Sequence, residues 1–149
     1  MYDKFMEEAL KEAHVSLVMN EVPVGAVIVK DEKIISRGHN LRETLKDPSA
    51  HAEMIAIRKA CEAVGDWRLN GCELYVTLEP CPMCAGAILQ SRISTIFIGT
   101  FDPEAGACGS VINVVQNDNL HAAADVRWIY DERCSRILED FFKNRRKKK

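Results

Sequence analysis

The sequence lacks any apolar run that approaches the ~18 residues needed to cross a bilayer as a helix. It opens on Met1-Tyr2-Asp3-Lys4, which is charged and lacks the apolar core of a secretory signal. These two absences argue against a membrane protein or a secreted one. We therefore expect a cytoplasmic protein with no membrane partner.

Internal repeats, linkers and low-complexity segments are also missing, apart from a basic C-terminal tail. The 149 residues are 47% hydrophobic and 28% charged, which is ordinary for a globular protein. A chain of this length can bury one well-formed core. We expect residues 1–149 to form a single domain, with residues 143–149 as its basic tail.

The net charge is only −2, but its distribution is uneven. Residues 143–149 carry six basic side chains and no acidic one, whereas the rest of the chain has 14 basic and 22 acidic residues. A cationic tail on an acidic body favours contact with a polyanion, and nucleic acid is the first candidate. The alternative is a solvated chain terminus.

The six cysteines show no pattern of disulfide pairing, and the cytoplasm keeps thiols reduced. Cys61 and Cys72 lie in apolar segments, where we expect small core residues. Only Cys81 and Cys84 have the spacing that a single metal ion requires.

Hydrophobic periodicity and turn residues predict an α/β protein with three layers. The predicted helices cover residues 2–19, about 50–64 with Ser49 as the cap, a segment opened by Pro80 and Pro82, and 131–146. The predicted strands cover residues 24–29, 34–36, 74–78, 95–99 and, as a short fifth strand, 126–129. Residues 40–49 and the glycine-rich stretch 102–110 are predicted loops.

The most informative pattern is His51-Ala52-Glu53 followed by Pro80-Cys81-Pro82-Met83-Cys84. One histidine and two cysteines suit zinc, and three protein ligands leave its fourth position open, as in catalytic sites. Glu53 can then move protons at that open position. The combined pattern is the H-x-E…P-C-x-x-C signature of zinc-dependent base deaminases.

Two alternatives to a catalytic zinc remain at this stage. A structural zinc needs a fourth ligand, for which Cys72 or His121 is available. The chain can also bind no metal at all, since short motifs of this kind occur by chance. Glu53 argues for catalysis because zinc binding alone does not require that carboxylate.

Beyond this motif, the chain resembles the bacterial tRNA-specific adenosine deaminases of the cytidine deaminase-like superfamily. The matching segments are residues 22–27, 38–40, 47–53, 75–87, 91–93, 102–110 and 141–146. The zinc motif is common to the superfamily, whereas the loop Gly106-Ala107-Cys108-Gly109-Ser110 and the Phe-Phe-x-x-Arg-Arg ending are similar to the tRNA enzymes. Residues 111–125 match least well.

The resemblance implies a cytidine deaminase-like α-β-α fold with a central mixed sheet of about five strands. It also implies a homodimer that converts adenosine to inosine at the wobble position of a tRNA anticodon, typically of an arginine tRNA. One Zn²⁺ per chain would be held by His51, Cys81 and Cys84, with Glu53 as the proton shuttle. The implied substrate-binding residues are Asn40, Val24, Pro23, Asp102, Phe142, Arg145 and Arg146.

Each substrate-binding assignment has a structural alternative. Asn40 and Asp102 can simply stabilise turns, Val24 and Pro23 can belong to the core, and Phe142 can be a core aromatic of an amphipathic helix. Two other functions also remain open. One is deamination of a free base or nucleoside such as guanine or cytosine, and the other is a zinc-stabilised RNA-binding module without catalysis.

Overall fold

The computed structural model describes residues 2–147, so Lys148 and Lys149 of the predicted tail lie outside the described residues. The described part contains five α-helices: α1 (Tyr2–Val18), α2 (Arg42–Leu45), α3 (Ala52–Val64), α4 (Pro82–Gln90) and α5 (Glu132–Lys147). It contains seven β-strands: β1 (Gly25–Lys30), β2 (Lys33–His39), β3 (Glu73–Leu78), β4 (Thr95–Thr100), β5 (Gln116–Asn117), β6 (Ala122–Ala123) and β7 (Asp125–Trp128). None of the helices in this part of the chain has the length and apolarity to cross a bilayer.

Five strands form one mixed sheet in the order β2-β1-β3-β4-β7. β1 is antiparallel to both β2 and β3, whereas β3, β4 and β7 run parallel. Parallel strands need crossover connections, and α4 supplies the one between β3 and β4. The predicted mixed sheet of about five strands is confirmed.

Both faces of this sheet are covered, because the central strands are apolar on both sides. Helices α3 and α4 cover one face, where Ala56 and Ile88 pack with Val76. Helices α1 and α5 cover the other face, where Tyr75 stacks on Phe97 with ring centroids 4.3 Å apart. The three-layer prediction is therefore confirmed.

Gly38 allows the start of α3 to lie directly on β2. A Cβ at this position would overlap the carbonyl oxygen of Ala52, the first residue of α3. Ser36, two residues earlier on β2, donates a hydrogen bond to the carbonyl of Ala56 at 2.8 Å. These contacts fix the distance between the N-terminus of α3 and strand β2.

The structure corrects several local predictions. The predicted loop 40–49 contains the short helix α2, and residues 116–123 form a small hairpin, β5–β6, that the sequence pattern did not predict. Ser49 does not cap α3, because its hydroxyl donates to the Asp47 carboxylate at 2.7 Å. His51 occupies the N-cap position instead.

Candidate active site

The three predicted metal ligands lie at the starts of two helices on the same side of the sheet. His51 is the N-cap of α3 and Cys81 is the N-cap of α4, and both have extended backbones. Cys84 lies in the first turn of α4, which Pro82 opens. Helix N-termini carry partial positive charge, so they stabilise the thiolates that zinc binds.

The ligand atoms are close enough to share one metal ion. The Nδ1 atom of His51 lies 3.6 Å from the Cys81 sulfur and 3.5 Å from the Cys84 sulfur. All three ligand atoms lie within 4.8 Å of one another. Tetrahedral zinc, with bonds of about 2.0–2.3 Å, places neighbouring nitrogen and sulfur ligands about 3.5 Å apart. The donor set and its spacing therefore fit zinc.

The electrostatics of the cluster also favour a thiolate. A hydrogen bond from the Cys84 thiol, with a further one from His51, lowers the pKa of Cys81 to about 4 although burial opposes the shift. The contact with Cys81 in turn raises the pKa of His51. Cys81 is therefore in the form that a metal cation binds.

Glu53 lies beside the cluster and is almost fully buried, with 3% of its surface exposed. Its burial raises its pKa to about 7. On a regular helix, side chains two positions apart, such as those of His51 and Glu53, would point in different directions. Because His51 is an extended N-cap and Glu53 is helical, both side chains line the same cavity.

The described residues do not support the structural-zinc alternative. Cys72 precedes β3 and Cys81 follows it, so the two cysteines lie at opposite ends of that strand. His121 is exposed beyond the short helical turn 118–120. Within residues 2–147, the group of side chains close enough to hold a metal consists of His51, Cys81 and Cys84.

The cluster opens into a cavity of about 780 Å³. Five of the predicted substrate-binding residues line this cavity: Val24, Asn40, Asp102, Phe142 and Arg146. Pro23 is buried outside the lining, and Arg145 also lies outside it. Sequence reasoning missed Arg42, Phe101 and Lys143, which line the cavity as well. Their side-chain types alone do not distinguish them from ordinary surface residues.

Asn40 and Asp102 hold local structure as well as facing the cavity. The Asn40 amide donates to the Val22 carbonyl at 3.1 Å and its oxygen accepts the Arg42 N–H at 3.2 Å. An amide has two donors and two acceptor sites, so each end retains one. The Oδ1 atom of Asp102 accepts the N–H groups of Glu104 and Ala105. Turn formation and substrate contact are therefore compatible at both positions.

Helix α5 presents one side to the cavity and another to the core. Phe142, Lys143 and Arg146 line the cavity, with Phe142 45% exposed, so Phe142 is not a core aromatic. Phe141 is buried, and the Arg145 guanidinium lies 5.3 Å from its ring centroid. The two adjacent arginines therefore have different surroundings.

The comparisons with known proteins agree with this geometry. Residues 1–100 match the family described as the cytidine and deoxycytidylate deaminase zinc-binding region. The chain is 49% identical over 146 residues to the tRNA-specific adenosine deaminase of Bacillus subtilis, covering 97% of this chain and 91% of that protein. It is 46% identical to the tRNA-specific adenosine deaminase of Aquifex aeolicus, covering 95% and 94% of the two chains.

Two solved structures are also similar. One comes from studies of A-to-I editing by tRNA:A34 deaminases at the wobble position, with 45% identity and a TM-score of 0.87, covering 91% of this chain and 99% of that one. The other is a guanine deaminase from Bacillus subtilis, with 34% identity and a TM-score of 0.64, covering 80% and 88%. The chain therefore belongs to the zinc-binding cytidine and deoxycytidylate deaminase family, among the tRNA-specific adenosine deaminases.

Proposed function

We propose that this protein deaminates adenosine to inosine at the wobble position of a tRNA anticodon, with one zinc ion per chain. One observation carries the proposal. A buried carboxylate, Glu53, lies beside the His51, Cys81 and Cys84 cluster at a cavity whose other walls carry exposed aromatic and cationic side chains. The 42–49% identity to proteins named tRNA-specific adenosine deaminase supports the choice of substrate.

His51, Cys81 and Cys84 would hold the zinc ion, which supplies Lewis acidity that makes water a nucleophile near neutral pH. In the proposed reaction, the water oxygen bonds to C6 of adenine and the bond from C6 to the amino nitrogen breaks. Glu53 accepts protons from the water and delivers them to the ring and to the departing ammonia. Burial shifts its pKa upward, towards neutrality, which suits a group that first accepts and then donates a proton.

The cavity walls suit RNA better than a free base. Phe101 is 51% exposed and Phe142 is 45% exposed, so both rings are available to stack on unpaired bases. Arg42, Lys143 and Arg146 line the same cavity and carry charges complementary to phosphates. A base in an anticodon loop is already partly unstacked, so its extrusion costs less than in a duplex.

The finer assignments belong to this proposal as well. We propose an arginine tRNA as the substrate, a cytoplasmic location and a homodimer. The exposed side of α4 supports the homodimer, because Met83 is 39% exposed and a Cβ built at Gly86 meets open space among the described residues. Sedimentation velocity tests the homodimer, and a native chain that sediments as a monomer at micromolar concentration contradicts it.

The deciding experiment measures inosine in unmodified tRNA transcripts by nucleoside mass spectrometry, with Glu53→Ala as the control. We expect inosine at a wobble adenosine of the arginine tRNA and none with the variant. Free guanine and cytosine are assayed in parallel. No inosine from folded, zinc-loaded protein overturns the proposal, and ammonia release from a free base would then favour that substrate class.

A further inference from the structure

Glu79 is a buried carboxylate to which the proposed reaction assigns no role. It follows the last residue of β3 and precedes Pro80 and the metal ligand Cys81. Only 2% of its surface is exposed. Burying a carboxylate costs free energy unless hydrogen bonds replace those it made to water. The hydrogen-bond partners of Glu79 therefore indicate which part of the structure it stabilises.

Among the described residues, the hydrogen-bond partners of the Glu79 carboxylate all come from one loop, residues 101–110. Its Oε1 accepts the N–H of Asp102 at 2.9 Å and also contacts the hydroxyl of Ser110. Its Oε2 accepts the N–H groups of Cys108 at 3.0 Å and Ser110 at 3.1 Å. A carboxylate has about four acceptor sites, so this single loop fills them.

The same loop is attached to the backbone on both sides of the Glu79 side chain. The N–H of Glu79 donates to the Thr100 carbonyl at 2.9 Å, and the N–H of Ala107 donates to the Pro80 carbonyl at 2.9 Å. Gly106 passes so close that a Cβ there would overlap the Glu79 carboxylate. The loop is therefore folded around this one side chain.

The loop is also a wall of the cavity, since residues 101–105 line it. Its cavity-lining part lies between Thr100 and the segment 106–110, both of which Glu79 and Pro80 hold by hydrogen bonds. These hydrogen bonds of Glu79 and Pro80 connect the wall to the segment that carries Cys81.

We propose that Glu79 is a positioning residue for substrate binding: its carboxylate holds the cavity wall 101–105 in register with the metal-ligand turn at Cys81. Glu79 itself borders the cavity, but its carboxylate is bonded to the loop, so it acts on the substrate through the loop. The identity of the substrate in this proposal rests on the proposed function. The hydrogen bonds between Glu79 and the loop are independent of that function.

Glu79→Gln is the informative variant because it keeps the size of the side chain. One carboxylate oxygen becomes an NH₂ group. At the Oε2 position it faces two N–H donors, and at the Oε1 position it faces the Asp102 N–H and a Ser110 hydroxyl that can accept from it, so one or two of the four hydrogen bonds are lost and the loop is loosened. Loosening this wall predicts a rise in KM of about tenfold to hundredfold for an anticodon stem-loop RNA, because residues 101–105 lose their fixed position at the cavity. We expect kcat to change by less than about threefold, since Glu53 and the ligands stay in place.

Two readouts separate this role from a structural one. The absorption spectrum of the cobalt-substituted protein reports the ligand geometry at His51, Cys81 and Cys84, and we expect it to be unchanged in Glu79→Gln. Hydrogen exchange reports the loop directly, and we expect the amides of Asp102, Cys108 and Ser110 to exchange faster. Both measurements are made at a temperature at which circular dichroism shows the variant folded.

Ser110→Ala is the graded variant and Glu62→Gln is the matched control. Ser110→Ala removes one of the four hydrogen bonds, so we expect a smaller rise in KM, and it still tests the proposal if Glu79→Gln does not fold. Glu62 is exposed near the far end of α3, and its substitution should leave KM and exchange as in the native protein.

Native-like amide exchange in Glu79→Gln would show that the carboxylate does not hold the loop. A KM within twofold of the native value in the folded variant would show that Glu79 has a structural role only and does not position the cavity wall for substrate binding. A changed cobalt spectrum would mean that Glu79 acts through the metal ligands. If the native chain forms no inosine, the proposed function fails, while the exchange measurement still decides whether Glu79 holds the loop.

Discussion

At the scale of single residues, the pKa values of two buried glutamates are shifted in opposite directions. Burial raises the pKa of Glu53 to about 7, because it outweighs the hydrogen bonds from the Glu53 backbone and from Cys84 and the attraction of His51. Burial also works against the charged form of Glu21, but hydrogen bonds from Thr44 and Glu43 outweigh it and lower the pKa. One carboxylate can therefore exchange protons near neutral pH, whereas the other stays ionised and holds structure.

We expect Glu53→Ala to lose about 10²- to 10⁴-fold in kcat, which is the range that a positioned acid–base group contributes. Zinc content should stay at one per chain, because the ligand set is His51, Cys81 and Cys84. Inosine formation and metal analysis on the same preparation check both statements. Loss of zinc from the variant would contradict the proposed role, since Glu53 would then belong to the metal site.

At the scale of elements, α2 depends on a side chain from outside the helix. The carboxylate of Glu21 accepts the N–H of Glu43 at 3.1 Å and the N–H of Thr44 at 2.7 Å. These are orphan donors of the first helical turn, which no intrahelical carbonyl can satisfy. A helix of four residues is unstable alone, so Glu21 keeps Arg42 at the cavity.

Glu21→Gln should lower the free energy of unfolding by about 1–3 kcal/mol at pH 7, as expected for weakened hydrogen bonds to a buried charged group. Because the folded pKa of Glu21 lies below its ordinary value of 4.5, its contribution is complete above pH 4.5 and is lost as the pH falls through the folded pKa. Urea unfolding at several pH values measures the difference between native and variant.

Glu43→Gln on the same helix is the control, because the Glu43 side chain is exposed. It should change the free energy of unfolding by no more than about 0.5 kcal/mol. A Glu21→Gln difference that stays constant down to pH 3 would contradict the assignment.

Substitution of the two adjacent arginines of α5 should have different effects. Arg146 lines the cavity, so Arg146→Ala should weaken RNA binding and reduce the slope of log K against log salt by about 0.7 for each phosphate that is no longer neutralised. Arg145 packs on Phe141, so Arg145→Ala should leave the slope unchanged and cost roughly 0.5–1 kcal/mol of stability. Titrations at several salt concentrations check the slopes. An equal reduction of slope in both variants would show that the tail acts as a diffuse charge.

At the scale of the whole molecule, the site joins elements that are distant in sequence. The metal ligands come from the starts of α3 and α4, and the opposite wall comes from α5 and the loop after β4. Strands β3 and β4 are parallel, so their C-terminal ends, where Cys81 and Asp102 follow, lie side by side. Ligand sites at the carboxyl ends of parallel strands are common in α/β folds.

We expect zinc to stabilise the native chain, because its expected ligands at the starts of α3 and α4 are brought together by folding. A ligand at a thousandfold excess over its Kd adds about 4 kcal/mol to the free energy of unfolding. Thermal unfolding with zinc and with a chelator measures this difference. Cys84→Ala should abolish it, while Cys61→Ala should retain it. No difference in the native chain would contradict a tightly held metal.

Much of this protein follows from local sequence pattern. Alternating and periodic apolar residues predict the five main strands and the four long helices, and the spacing of His51, Cys81 and Cys84 predicts a zinc site. Each strand or helix pattern lies within a short stretch of sequence, and so does each half of the zinc motif, His51-Ala52-Glu53 and Cys81 to Cys84. The hairpin β5–β6 and helix α2 lack such patterns, because they are short and depend on contacts such as Glu21 with Glu43.

The sequence by itself determined the type of chemistry, since the zinc-binding residue types and the proposed proton carrier Glu53 are specified by residue identity and spacing. Only the tertiary structure decided which side chains share the cavity. It separated Arg146 from Arg145, added Arg42 and Lys143, and showed Glu79 at the centre of loop 101–110. The physical reason is that these relations depend on helix rotation and on hydrogen bonds between segments that are remote along the chain.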